Sequence, residues 1–437
     1  MPNCTQARFD FPPLKRRRIE AGFNGGDITS DGGVLLLRQV DQRLGLSAAV
    51  AGVLEDPRRQ ASCQHDGLSL VRQRLYALAL GYEDLNDHQS LRTDVAIQTA
   101  VDRESVLASS ATLCRWENRA DREAAWKLHE ILVDQFIASF KRAPKKLILD
   151  FDATDDVVHG KQEGRFFHGY YDHYCFLPLY VFCRDQLLVS YLRPSKIDGA
   201  KHAWAILALL VKRLRSVWPK VRIIFRGDSG FCRWRMLSWC ERHDIGYIVG
   251  IAQNKRLNAF TAPLQRDAEH CFAELGEKVR WFTDVRYAAR SWNHPRRVIA
   301  KIEHTDKGSN PRYVVTNLDG DARALYEKLY CARGDMENRI KEQQLDLFAD
   351  RTSCHRWWPN QFRLLLSSLA YTLLEAIRRV ALKGTELAHA YVGTLRLKLL
   401  KIGAVILRNT RRVRFLLSSA YPDRRLFLHV AAKLAPG

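Results

Sequence analysis

The sequence has no segment that would carry it into a membrane. Its longest purely apolar run, Ala203–Val211, is nine residues, against the roughly 20 a spanning helix needs. The opening MPNCTQARFDFPPLKRRRIE lacks the apolar stretch of a secretory signal, and no basic amphipathic anchor is present. The ten cysteines, Cys4 to Cys354, contain no C-x-x-C pair and no repeated Cys/His spacing of the zinc kind. They are expected to be reduced thiols in a cytoplasmic protein. Internal repeats and low-complexity tracts are also missing. Acids are scarce beside bases: 48 Asp and Glu against 69 Lys and Arg give a formal charge of +21. A surplus of that size points to a polyanionic partner, most simply nucleic acid, and not to a membrane. At 437 residues and 46% hydrophobic content, two or three domains with ample core are expected.

Residues 1 to about 25 read as a basic, Pro-containing arm, with Lys15-Arg16-Arg17-Arg18 as a charge run suited to phosphates. From Gly32 the apolar spacing is helical, through GGVLLLRQVDQRLGL and LSLVRQRLYALALGYEDLNDHQSLRTD. The stretch SVLASSATLCRWENRADREAAWKLHEILVDQFIASF reads as a short helix, a break at Ser109-Ser110 and further helices. It is a candidate helix-turn-helix, with an ordinary helical pair as the plain alternative. From Lys145 the pattern changes to three strands, helix, strand, helix, strand. That is an α/β mixed sheet, and its order matches a ribonuclease-H-like core. Alternating runs between 255 and 322 predict a β-rich insertion ahead of the last core helices. The expected segmentation is therefore a helical, DNA-binding or dimerising region at 1–140, core at 141–254, insertion at 255–322, core again at 323–385, and a basic C-terminal region at 386–437.

Three acids stand where chemistry is expected. Asp150 and Asp152 share one face at the carboxyl end of a strand, and Asp228 ends another in R-G-D-S-G. Ligand sites in open α/β sheets form at those ends. In YCARGDMENRIKEQQLDL, read as one helix, Tyr330, Arg333, Glu337 and Lys341 fall on one face. Taken singly, these are a strand-end acid, a turn former and a helical ion pair. Taken together in a basic chain, they suit hard divalent cations, Mg²⁺ by preference. Two such ions about 3.5–4 Å apart would activate a water or a 3′-hydroxyl for in-line phosphodiester displacement.

D-x-T at Asp152-Ala153-Thr154, R-G-D-S-G-F at Arg226 to Phe231, and Y-x-x-R-x-x-x-E at Tyr330, Arg333 and Glu337 occur in that order. This combination resembles the DDE transposases of bacterial insertion sequences, most closely the group numbered thirteen-eighty, a relative of the group numbered four. FNGGDITSDGGVLLLRQVDQRLGL, GYEDLNDHQSLRTD, G-K-Q-E-G at 160–164 and NQFRLLL extend the resemblance over nearly the whole chain. It implies that Asp152, Asp228 and Glu337 are catalytic and bind two Mg²⁺, with Mn²⁺ as a workable substitute, and that Tyr330 and Arg333 contact phosphates. The D-x-T match selects Asp152 over Asp150. The family's signature Lys lies seven residues beyond the Glu, where this chain has Gln344; Lys341, one turn after Glu337, is the expected replacement. Trp292, beside Arg296 and Arg297, is expected to stack on a flipped base, with Trp281 as the competitor and a place in the insertion's own core as the plain reading.

The function implied is binding of terminal inverted repeats, cleavage of the element ends and transfer of the freed 3′-hydroxyls into target DNA, by a homodimer or larger assembly. The alternatives are a catalytically silent DNA-binding regulator and a ribonuclease-H-type nuclease without strand transfer.

Overall fold

The computed structural model describes residues 8–59 and 62–435; the first residues of the expected arm, Cys4 among them, lie outside. The rest of the arm is a β-hairpin. Arg8–Leu14 pairs antiparallel with Arg17–Gly22, and Lys15 takes a left-handed φ of 56° at the turn. The chain forms two compact units.

The first unit holds the chain through Ala120, Asp346–Phe348, and everything from Leu369. Its helices Val34–Leu44, Leu46–Val53, Gly67–Leu80, Val95–Ala100 and Ser110–Glu117 follow the apolar spacing. The segment before Ser109 is not helical; Ser109 instead caps Ser110–Glu117 by accepting from the Thr112 amide. The basic C-terminal stretch is not a separate region. Ala404–Asn409 pairs with Arg412–Leu417 and, on its other side, with Ile28–Thr29. Gly32 and Gly33 donate their amides to the carbonyls of Ile402 and Leu400 at 2.8 and 3.1 Å. A Cβ on Gly33 would lie 1.9 Å from the Leu399 carbonyl oxygen, so only glycine permits this approach.

The second unit holds Asp121–Leu345 and Ala349–Ser368. Its main sheet has nine strands: β1 (Lys146–Ala153), β2 (Leu179–Cys183), β3 (Gln186–Tyr191), β4 (Arg222–Gly227), β5 (Gly246–Ile251), β6 (Val279–Tyr287), β7 (Arg296–Thr305), β8 (Gly308–Ser309) and β9 (Arg312–Thr316). The order is β6-β7-β9-β5-β4-β1-β2-β3, with β8 on β7. β4 runs parallel to both β1 and β5, and the other pairs are antiparallel. Helix Ala203–Val217 connects β3 to β4, and Trp234–Arg242 connects β4 to β5. Leu149 and Phe151 on one face of β1 are fully buried, and Phe151 meets Phe225 edge-on at 5.1 Å.

Residues 255–322 differ from expectation in two ways. They open with a 21-residue helix, Lys255–Leu275, capped by Asn254. Their strands then extend the main sheet, because β9 pairs with β5. Val298, Ala300 and Ile302 lie in the same apolar cluster as Leu149 and Phe151, while Ile299 and Val314 pack with Ile248 and Tyr326 in a second, smaller one. Among the described residues, no helix is long and apolar enough to cross a membrane.

Candidate active site

Alternation along β1 sends Leu149 and Phe151 into the core and leaves Asp150 and Asp152 on the other face. The parallel register sets Arg226 of β4 directly beside Asp150. The Arg226 guanidinium grips both Asp150 oxygens, Nη2 to Oδ2 at 2.7 Å, and also donates to the Leu329 carbonyl. Both side chains are almost fully buried. Asp150 is thereby occupied, and Asp152, nearer the strand end, is the acid that meets the helical segment.

That segment is helical but not one regular α-helix. Leu325–Tyr330 is wound as a wide π-turn, Cys331–Arg333 as a tight 3-10 turn, Gly334–Lys341 as α-helix and Glu342–Asp346 as π again. Such irregular turns are frequent at functional sites. The four-residue spacing from Arg333 to Glu337 survives. Arg333 donates from Nη1 to Asp152 Oδ2 at 3.1 Å and from Nη2 to Glu337 Oε1 at 2.8 Å. A single guanidinium thus bridges the first and third predicted acids. Asp152 is largely covered while Glu337 is half exposed.

Asp228 stands at the end of β4. Its Oδ1 accepts from the Gly230 amide at 2.9 Å and caps the turn Ser229–Phe231. Burial, opposed by Arg333 and reinforced by the neighbouring Asp228 and Glu337 carboxylates, pushes the Asp152 carboxyl up to about 6. Asp152 is thus the acid on which the charges of the other two bear. Gly250, at the end of β5, completes the wall. A Cβ there would lie 2.5 Å from the Tyr330 hydroxyl and 2.9 Å from the Ser229 amide, so this glycine lets Tyr330 reach the Asp228 turn. Burial raises the Tyr330 phenol, which faces Arg333 and Asp228.

Gln344 does not reproduce a lysine contact. Its Nε2 donates to the Asp155 carbonyl at 2.8 Å and ties the helical segment to the loop after Asp152. Lys341 is exposed on the last α-turn.

Both arginines of the expected stacking group are engaged by acids of the protein itself. Arg296 is 3% exposed. It donates to both Glu241 oxygens at 2.7 and 2.9 Å, and to Asn293. Arg297 is paired with Asp284 and with the carbonyls of Leu318 and Gly320. Trp292 is half-buried, edge-on to Tyr287 at 5.5 Å and beneath Arg296 at 5.2 Å. Trp281 packs against the same core. These side chains serve the fold.

Sequence reasoning missed the Arg226–Asp150 pair, Gly250 and the role of Gln344. The first was accessible, since Arg226 lies two residues before Asp228 and so shares its strand face. The others depend on contacts between distant elements.

Among the described residues, no group of three His, Cys, Asp or Glu side chains is placed to hold a metal ion, and Arg333 engages both Asp152 and Glu337. In chemistry the donor set fits a hard cation: three carboxylates, of which Asp152 is raised chiefly by burial and further by Asp228 and Glu337.

The family model described as transposase DDE domain group 1 matches residues 11–436 of the chain. No curated protein matches it. Among solved structures, the chain is similar to one described as a cryo-EM structure of a piggyBac transposase synaptic complex with hairpin DNA. That similarity is 11% identity over 84% of this chain and 80% of the other, with a TM-score of 0.41.

Proposed function

The chain belongs to the transposase DDE domain family, group 1, and from that premise we propose that it cuts DNA at the ends of a mobile element and joins the 3′-hydroxyls to target DNA. The observation that supports this reading is the Arg333 bridge, which joins Asp152 at the end of β1 to Glu337 on the helical segment, with Asp228 at the end of the adjacent β4. The sheet supports a ribonuclease-H-like core, because β3-β2-β1-β4-β5 is its mixed half and β4 and β5 run parallel to β1.

In this reading Asp152, Asp228 and Glu337 hold divalent cations, two Mg²⁺ by preference. Bound there, the ions supply Lewis-acid activation of the attacking oxygen and stabilise the leaving one. Arg333 neutralises Asp152 and Glu337 in the free protein and turns to a DNA phosphate when the end arrives, with Tyr330 and the exposed Lys341 as further phosphate contacts. The buried Arg226–Asp150 pair fixes β1 against β4, so the two strand-end acids keep their separation. The net charge of +21 provides the general attraction to inverted repeats and target. Pairing of two ends calls for at least two copies on DNA, which sedimentation of the complex measures.

The deciding experiment incubates the protein with a duplex carrying the DNA that flanks its gene, in Mg²⁺ and in EDTA. New 3′-hydroxyl ends and joined products in Mg²⁺ alone support the reading. Binding without cleavage in either favours a regulator, and cleavage without joining favours a nuclease.

A further inference from the structure

Within the second unit, next to the acids, lies a small sheet with no part in the chemistry above. It consists of Asp156–Val157, Phe166–His168 and His173–Phe176. Large aromatics crowd its surface: Phe166 is 38% exposed, Phe167 53%, Tyr170 84% and Tyr174 47%. Isolated exposed apolar residues are ordinary, but strand pairing sets Phe167 opposite Tyr174 on one face of this sheet, with Phe166 on the reverse face. Phe167 and Tyr174, with Tyr170 at the turn, make an exposed aromatic face that calls for an occupant. The rings are mutually braced, Phe167 edge-on to Tyr174 at 5.7 Å and Tyr170 edge-on to Tyr171 at 5.0 Å. A cation lies over one ring on each face. Arg165 sits 4.4 Å from the Tyr174 ring centroid, and Lys196 Nζ 5.2 Å from that of Phe166.

The sheet is fastened to the candidate active site at two points. His173 Nε2 lies 2.8 Å from Asp155 Oδ2, and Asp155 follows Asp152 by three residues. Gln344 holds the same residue's carbonyl from the segment that bears Glu337. The Tyr171 phenol, raised to about 12 by burial and then by Asp155 and Asp152, lies within reach of that charge.

We infer that this aromatic sheet is a platform on which unpaired nucleotide bases stack, Tyr170 and Phe167 supplying ring faces and Arg165, on the same face, meeting the phosphates. The inference rests on the transposase reading. Exposed rings interleaved with cations are what single-stranded DNA binds, since every base offers a π-face. Base pairs in an intact duplex hide those faces, so the platform selects frayed or single-stranded DNA.

The test compares Tyr170→Ala, Phe167→Ala and Tyr170→Phe with wild type, by fluorescence anisotropy on a short oligo-dT and on a blunt duplex of equal length. The expected result is an about tenfold loss of oligo-dT affinity in each alanine variant, retention in Tyr170→Phe, and unchanged duplex binding. Tyr170, at 84% exposure, has little packing to lose. Unchanged oligo-dT binding in both alanine variants overturns the proposal. So does a change confined to self-association in sedimentation, which would make the patch a contact between copies. Cleavage of the flanking duplex is read on the same preparations. Wild-type cleavage with unchanged oligo-dT binding removes the platform alone, and the reverse pattern removes the transposase reading while the platform stands.

Discussion

Arg226 and Asp150 face one another across the parallel strands β4 and β1, in register and buried, with the guanidinium on both carboxylate oxygens. This pairing separates two acids that share one strand face and that the D-x-T match alone distinguishes in the sequence. Removing one partner of a buried ion pair strands the other charge and costs about 3–5 kcal/mol. Asp150→Asn or Arg226→Met is therefore expected to lower stability by an amount in that range in urea unfolding. Asp152→Asn, in contrast, leaves the urea midpoint near wild type. Equal stability of Asp150→Asn and wild type would show that the pair does not order the strands.

Gly250→Ala places a methyl group against the Tyr330 hydroxyl and the Ser229 amide. Overpacking of this kind costs about 1–3 kcal/mol. It is expected to displace the Asp228 turn, lowering cleavage at least as much as stability while leaving gel-shift binding intact. Wild-type cleavage rates in Gly250→Ala would mean that the wall tolerates the extra carbon.

A pH dependence follows from His88 in the first unit. The ring is fully buried. Gln73 Nε2 lies 3.0 Å from one ring nitrogen, and Arg74 Nη1, itself paired with Glu117, lies 3.2 Å from the other. Burial, then Arg74, lowers the imidazole to about 3. The unfolded chain binds a proton at its ordinary value of about 6.5, and the folded chain does not. Stability is therefore complete above pH 6.5 and falls as pH drops from there toward 3, by up to about 1.4 kcal/mol per unit. Urea midpoints at pH 7 and pH 5 should differ more for wild type than for His88→Gln. Identical differences would remove His88 as the cause.

Much of the second unit is legible in the sequence because its signals are local. KKLILDFDATDD and VRIIFRGDSG show strand periodicity ending in acids, and the helices between strands carry clear apolar faces. The segment 255–322 shows where local signals stop. Its strands are visible as alternation, but pairing of β9 with β5 joins them to the main sheet, and no local pattern encodes which strand is the partner. Lys255–Leu275 carries a proline at Pro263 and few buried residues, which obscures its helix. Arg296 beside Trp292 resembles a phosphate contact until Glu241, on a helix far back in the sequence, occupies it. The C-terminal stretch likewise reads as a basic tail until the hairpin it forms is seen against Ile28–Thr29.

The most direct test of the central claim, that Asp152, Asp228 and Glu337 act as one site, is cleavage of the flanking duplex in Mg²⁺ by Asp152→Asn, Asp228→Asn and Glu337→Gln, with a gel shift on each. Each change removes one carboxylate and leaves the basic surface otherwise intact. All three variants are predicted to bind the duplex like wild type and to leave it uncut. A variant that binds and still cuts at the wild-type rate would contradict the assignment of that acid, and survival of cleavage in Asp152→Asn would return the role to Asp150.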